Sequence, residues 1–229
     1  AVPLLLGAFI GTGAMSQWET VLLFCNGESF GATDAEFGID LGFFMFTLPF
    51  LNLLTGVLRT IVIFAAMAAL VMHYFYGGIL VHEKGITTTK AFRQHFAILG
   101  GIFLLLTAAV LWLDRYNATQ DQSGSWAGAM YSDVNSIIPV KAILAIAALL
   151  VAVLFVVTAI NGNWRLPMIG TAVLVIASLV AGSLYPWIVQ RFQVVPNEQA
   201  AEEPYIQRNI DATRAAYGLD AIEVTNNDA

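Results

Sequence analysis

The sequence predicts an all-α fold, a polytopic bundle of transmembrane helices. Its mean hydropathy is +0.73, and only 11% of its 229 residues are charged, whereas a soluble domain carries about 25%. The charged residues leave five uncharged windows, at 1–18, 60–81, 94–113, 142–164 and 166–190. A helix needs about 20 apolar residues to cross a bilayer core about 30 Å thick, and it satisfies its own backbone groups in lipid.

These windows predict five spans in one bundle that covers residues 1–190. The expected spans are about 2–25, 57–81, 95–113, 140–161 and 166–188. Residues 191–229 carry seven acids and three Arg, so we expect them to begin an extracytoplasmic domain. Pro204 suits the first turn of a helix and Gly218 its left-handed end, which predicts a soluble helix of about 14 residues that docks on another surface.

The placement of Lys and Arg predicts the orientation of the bundle. The connections 82–95 and 161–165 are basic, whereas 26–40, 114–141 and 191–229 are acidic. Because Lys and Arg are enriched in cytoplasmic loops, we place the two basic connections in the cytoplasm. The two acidic loops and the tail are then extracytoplasmic.

The segment between the first two predicted spans allows two interpretations. Residues 41–58 are uncharged but contain Gly42, Pro49 and Gly56. Pro49 lacks a backbone N–H and disfavours helix at the preceding residue. The segment is either an interfacial or re-entrant element at 43–54, or a long, kinked helix that leads into the second span.

No catalytic, cofactor-binding or metal-binding constellation is visible in the sequence. His73, His82 and His95 lack the i, i+4 spacing of a helical zinc site. No strand is evident, and hence no phosphate-binding loop after a strand. The net charge of −6 and the lack of a basic stripe disfavour nucleic-acid binding. We therefore predict no catalytic, cofactor or metal residue, and we do not expect an enzyme.

Two charged residues lie close to predicted spans on the outer side. Glu19 follows Trp18 near the end of the first span, and Arg59 opens the second. Ionisable groups at such depth often pair or line a water-filled cavity. We hypothesise an ion pair between Glu19 and Arg59 in the outer leaflet. The alternative is that each side chain snorkels separately to the interface.

Three groups of residues outside the apolar windows form recognisable motifs. They are Phe30, Gly31, Asp34, Phe37, Gly38, Asp40 and Pro49; Arg191, Pro196, Asn197 and Glu198; and Pro204, Tyr205, Arg208, Asn209, Arg214, Tyr217 and Gly218. In this order, and with smaller matches between about residues 16 and 219, the chain resembles the bacterial uncharacterised protein family 0182 of the UPF series. Members of that family usually carry Pro where this chain has Ala35, so the resemblance does not define the exact turn at 34–37.

The resemblance implies a seven-span protein of the bacterial plasma membrane with a large extracytoplasmic C-terminal region. This chain then corresponds to spans three to seven and the start of that region. The chain opens with Ala1-Val2-Pro3, without Met and without a basic segment before a cleavage site, which we interpret as an interior start. The family has no established activity, so the resemblance implies no catalytic role for any residue.

The residues favour a multi-pass plasma-membrane protein that anchors or scaffolds an extracytoplasmic domain in cell-envelope processes. Short cytoplasmic loops and few charges within the spans support this prediction. The alternative is a transporter or lipid-handling protein with an outward-facing cavity, for which the segment 43–54 is the best argument. A membrane enzyme is the third class. The expected partners are the lipid bilayer, the remaining spans and outer domain of the full-length protein, and other envelope proteins.

Overall fold

The structure is a computed structural model that describes residues 7, 11–13, 15, 17–82, 85–120 and 128–219. Its helices are α1, Trp18–Cys25; α2, Leu48–Phe75; α3, Lys90–Asn117; α4, Ile138–Asn161; α5, Arg165–Leu179; α6, Tyr185–Val189; and α7, Glu198–Ala216. They are extended or joined by four π-helical segments, Phe43–Thr47, Asp133–Ile137, Val180–Leu184 and Gln190–Val194, and by two 3-10 segments, Ala118–Gln120 and Val195–Asn197. The predicted span 2–25 lies mostly outside the described residues, which include its end in α1.

Four helical runs of the described chain are long and apolar enough to cross a membrane. They are Phe43–Phe75, Lys90–Gln120, Asp133–Asn161 and Arg165–Ala216. These runs confirm the predicted class, an all-α bundle of apolar helices. The presence of a fifth span stays a prediction, because most of its residues are not among those described.

Each π-helical segment precedes a proline by two residues. The pairs are Phe43–Thr47 with Pro49, Asp133–Ile137 with Pro139, Val180–Leu184 with Pro186, and Gln190–Val194 with Pro196. Proline lacks an N–H, and its ring clashes with the carbonyl four residues earlier in an α-helix. The wider π turn accommodates that ring without ending the helix.

The π turn before Pro49 bears on the two interpretations of residues 41–58. The helix continues without interruption from Phe43 to Phe75, which is the long-helix alternative. Pro49 lies in the first turn of α2, immediately after the π segment. An interfacial position for residues 43–54 stays a prediction.

An antiparallel hairpin, which the sequence analysis did not predict, joins α2 to α3. Strand β1, Ile79–His82, pairs with β2, Gly85–Thr88. Both strands contain the β-branched residues that favour strands, but four residues are too few to form a visible alternation beside long apolar helices. The Thr89 hydroxyl then accepts a hydrogen bond from the Phe92 N–H, 3.3 Å away, and caps the start of α3.

The last helix is longer than predicted, and the position expected for Pro204 is wrong. Helix α7 begins at Glu198, so Pro204 lies inside it rather than in its first turn. The backbone of Asn197 leaves the helical region (φ −142°, ψ 47°) and starts the new helix there. The end is as predicted: Gly218 has φ +67°, and the Leu219 N–H donates to the Arg214 carbonyl over 2.8 Å.

Helices α3 and α4 form the central pair of the bundle. Their shared core contains Leu104, Ala108, Leu144, Ala148, Val151 and Ala152, with Leu174 of α5 packed against it. Small residues let the two helices approach closely: a Cβ on Gly100 would lie 2.6 Å from the Phe155 ring. Helix α2 is much less buried than α4.

The central pair predicts different effects for two leucines of α4. Leu144 is 3% exposed and Leu150 is 62% exposed. We expect Leu144→Ala to lower the free energy of unfolding by about 2–5 kcal/mol, because it leaves a cavity in the core, and Leu150→Ala to change it little. Thermal unfolding in detergent measures both, and equal destabilisation by the two variants would contradict this packing.

Candidate functional site

The loop before α2 is organised around the carboxylate of Asp40. Its oxygens accept hydrogen bonds from Ser29 Oγ at 2.5 Å, from the backbone N–H groups of Phe30 and Gly31 at 3.1 Å each, and from that of Gly42 at 2.7 Å. These donors, the Ser29 hydroxyl first and the Gly42 N–H second, lower the pKa of Asp40. Residue 42 is Gly because a Cβ there would lie 2.3 Å from the Glu28 carbonyl.

The carboxylate of Asp34 shapes the tip of the same loop. It accepts from the backbone N–H groups of Glu36 at 2.9 Å and Phe37 at 2.8 Å, as Asp side chains do in turns. Gly38 follows with φ +65°. The turn thus forms with Ala35 at the position where Pro is usual in the family that the sequence resembles.

Helix α7 is attached to this side of the bundle at three points. The Tyr131 N–H donates to Oε2 of Glu202 over 3.1 Å, and Asn135 Nδ2 donates to the hydroxyl of Tyr205 over 2.9 Å. Arg208 Nη1 lies 3.0 Å from Oε2 of Glu36. Glu202 is the buried member of the set, at 3% exposure.

A cleft of about 490 Å³ lies between the Asp34 loop and α7. Its polar and aromatic lining includes Asp34, Glu36, Thr119, Tyr205, Arg208, Asn209 and Tyr217. Carboxylates and a guanidinium therefore face one space together with two phenol rings. We call this space the outer cleft, since the loop 26–40 and the tail that form it are predicted to be extracytoplasmic.

Polar pairs join the helix ends beneath the outer cleft. Asn52 Nδ2 of α2 donates to Oδ1 of Asn117 of α3 over 2.9 Å. Lys141 Nζ of α4 lies 2.7 Å from Oδ2 of Asp114 of α3. The Arg115 guanidinium lies 4.4 Å from the Trp112 ring centroid, a cation–π contact. These contacts fix the ends of three helices on which the loops rest.

The structure brings together two of the three motif groups that were singled out in the sequence. Asp34 of the first group lines the outer cleft with Tyr205, Arg208, Asn209 and Tyr217 of the third. Other members shape the backbone; these are Phe30, Gly31, Gly38 and Asp40 in the loop and Gly218 after α7. The second group, Arg191, Pro196, Asn197 and Glu198, lies in the segments that lead into α7.

Sequence reasoning missed the residues that attach α7. Glu202 is buried while its neighbour Glu203 is exposed, and no sequence pattern distinguishes these two adjacent acids. Tyr131 contributes a backbone N–H. Every non-proline residue carries this group, so the sequence does not mark Tyr131 as a donor. Tyr205 and Arg208 were singled out as members of a motif group, but their partners were not; Glu36, the partner of Arg208, lies 172 residues away.

Glu19 and Arg59 occupy different surroundings in the structure. Glu19 is exposed in α1, whereas the guanidinium carbon of Arg59 lies 5.4 Å from the centroid of the Phe103 ring. The ion pairs recorded among the described residues are Lys141–Asp114 and Arg208–Glu36. The Glu19–Arg59 ion pair stays a prediction.

A histidine pair lies at the opposite end of the bundle. His73 Nε2 of α2 and His95 Nδ1 of α3 are 3.3 Å apart, a contact between helices that spacing along one helix does not reveal. The residues that the structure describes contain no cluster of three or more His, Cys, Asp and Glu side chains suited to a metal ion.

The long apolar helices define the class, a helical membrane protein. Comparison of the sequence is more specific: the chain belongs to the uncharacterised protein family UPF0182, whose model matches residues 1–229. The resemblance seen in the motif groups is thereby confirmed.

Relatives show how much of a family member this chain covers. It is 58% identical over 229 residues to a UPF0182 protein of Kocuria rhizophila, covering all of this chain and 23% of that protein. It is 53% identical over 222 residues to one of Arthrobacter sp. and 45% identical over 224 residues to one of Thermobifida fusca, covering 97% and 98% of this chain and 22% of each relative. The chain therefore spans less than a quarter of their length. No solved structure matches it.

The lowered pKa of Asp40 predicts a pH dependence for the loop. An Asp with a folded-state pKa below its unfolded value of about 3.9 stabilises the fold above that pH, and the contribution is lost as the pH falls through the folded pKa. We expect the protection of the Phe30, Gly31 and Gly42 amides from hydrogen exchange, corrected for intrinsic rates, to hold down to about pH 4 and then to decrease.

The Asp40→Asn variant is the control for this pH dependence. Because Asn carries no charge, its loop should be less protected at neutral pH and should lack the acid transition. An identical acid transition in the variant would assign the effect to another group.

Proposed function

We propose that this part of the chain is a membrane anchor whose outer surface holds the following region of the protein in a fixed orientation. The observation that carries the proposal is the docking of α7 through the buried Glu202. The relatives are more than four times as long as the chain, which is consistent with a large region attached to such an anchor. The basic connections support a plasma-membrane orientation with α7 outside.

The three attachments of α7 differ in strength. The Arg208–Glu36 pair is partly exposed, and exposed ion pairs contribute about 0–1 kcal/mol. Glu202 is buried, and removal of its carboxylate leaves the partly buried Tyr131 N–H without its acceptor, which costs about 1–3 kcal/mol. Glu202 therefore dominates, while Arg208 and Tyr205 set the angle and register of the helix.

An anchor of this kind needs a surface that does not deform. The Asp40 and Asp34 carboxylates hold the loop through backbone donors, and the Asn52–Asn117 and Lys141–Asp114 contacts hold the helix ends. A rigid surface and a docked helix together restrict the motion of whatever is joined to α7. Such restriction suits a scaffold for envelope partners, which we propose as its role.

Glu202 and Glu203 provide a matched pair of variants to test this function. In the full-length protein, we expect Glu202→Ala to decrease the hydrogen-exchange protection of residues 205–216 by about 10-fold to 100-fold, the equivalent of about 1–3 kcal/mol. Glu203→Ala should leave it unchanged, because Glu203 is exposed. Hydrogen–deuterium exchange with peptide-level detection measures both.

The double variant Glu36→Arg with Arg208→Glu tests the weaker contact. Each single charge reversal brings like charges together where a Glu–Arg pair now lies 3.0 Å apart, and the double variant restores opposite charges.

Equal loss of protection in Glu202→Ala and Glu203→Ala, or none in either, would refute the anchoring of α7 by Glu202.

A further inference from the structure

An apolar groove of about 410 Å³ lies at the junction of α2, α3 and α4, and it shares no lining residue with the outer cleft. Its lining residues are Val62, Ile63, Ala66 and Met67 of α2; Phe96, Leu99, Gly100 and Phe103 of α3; Phe155 of α4; and Trp164. Met67 and Ile63 are exposed, so the groove opens to the side of the bundle. A groove with this lining fits a hydrocarbon chain.

A cation lies at one end of this groove. The guanidinium carbon of Arg59 is 5.4 Å from the ring centroid of Phe103, which lines the groove. The Nε atom of Arg59 is buried and has no hydrogen-bond acceptor in the described part of the chain. Neither of the two ion pairs recorded there includes Arg59. Among the residues that the structure describes, Arg59 thus has no acidic partner, and its positive charge lies next to the apolar groove.

The helix register places Arg59 towards the outer end of the α2–α3 pair, where the predicted span 57–81 begins. The Asn52–Asn117 and His73–His95 contacts mark the two ends of the α2–α3 pair. Arg59 is seven residues from Asn52, or about 10 Å along the helix at 1.5 Å per residue. Charged residues within or at the ends of membrane spans often mark functional sites in membrane proteins.

We infer that this groove binds an anionic phospholipid, with one acyl chain along the groove and the phosphate at Arg59. In this arrangement the acyl chain of the lipid runs from Phe103 towards Trp164, near the basic connection 161–165. Arg59 is partly exposed as a whole, and a phosphate suits the geometry of its guanidinium. This binding site is separate from the outer cleft and independent of the anchoring by α7.

A photo-crosslinking experiment tests the site in the full-length protein. Benzoylphenylalanine replaces Met67 in the groove or, as a matched control, the exposed Ile61 of α2, which does not line it. The protein is placed in nanodiscs of equal parts phosphatidylglycerol and phosphatidylcholine and irradiated, and the adducts are identified by mass spectrometry. At Met67 we expect about five times as many phosphatidylglycerol adducts as phosphatidylcholine adducts, because one Arg favours anionic lipid by about 1 kcal/mol. At Ile61 we expect the two adducts in equal amounts.

Two kinds of variant distinguish the contribution of the Arg59 charge to lipid binding from that of the apolar groove. Arg59→Gln should abolish the enrichment and Arg59→Lys should retain most of it. Filling the groove with Ala66→Phe should remove the lipid adduct, whereas Ala68→Phe, on an exposed position outside the groove, should not. Glu19→Gln should have no effect, since Glu19 lies outside the groove.

Two results would overturn the inference. A peptide adduct at Met67 would show that another helix of the protein covers the groove. Lipid adducts in the nanodisc ratio at both Met67 and Ile61, unchanged in Arg59→Gln, would show ordinary surrounding lipid. Neither result bears on α7, so failure of the lipid site and failure of the anchor are distinguishable.

Discussion

On the polar side of this protein, the position of α7 depends most on the hydrogen bond from the Tyr131 N–H to the buried carboxylate of Glu202. A buried carboxylate is costly to desolvate, and a hydrogen bond to its charged form offsets part of that cost. With Glu202 in place, the next turns of α7 bring Tyr205 to Asn135 and Arg208 to Glu36. These contacts hold α7 beside the Asp34 loop, and the outer cleft lies between the two.

The helix bundle and the loops are stabilised by different interactions. Within the bundle, α3 and α4 pack through small and aliphatic side chains such as Ala108 and Ala148, which is the usual means in lipid, where apolar burial drives association weakly. In the loops, carboxylates collect backbone N–H groups that no helix or strand satisfies. The π turns before Pro49 and Pro139 join the apolar bundle to the polar loops, because they let the helices continue past these prolines.

The sequence predicts the fold class because an absence of charge over about 20 residues has few other physical explanations. It also predicts the end of α7, since Gly218 provides a left-handed position. The start of α7 was not predictable from Pro204, because proline is tolerated inside a helix when its neighbours adjust. Packing between distant segments leaves no local pattern in the sequence. It determines the burial of Glu202 rather than Glu203, the His73–His95 contact and the contact of Arg59 with Phe103.

A distance distribution between α4 and α7 tests the central claim, that α7 is held rigidly on the bundle, most directly. Spin labels on cysteines at Ile143 and Gln207, both exposed, report this distance in nanodiscs, in a full-length protein from which Cys25 and every other native cysteine have been removed. A fixed α7 predicts a single narrow distribution. A broad distribution, with Glu202 intact, would contradict the claim that the bundle anchors this helix.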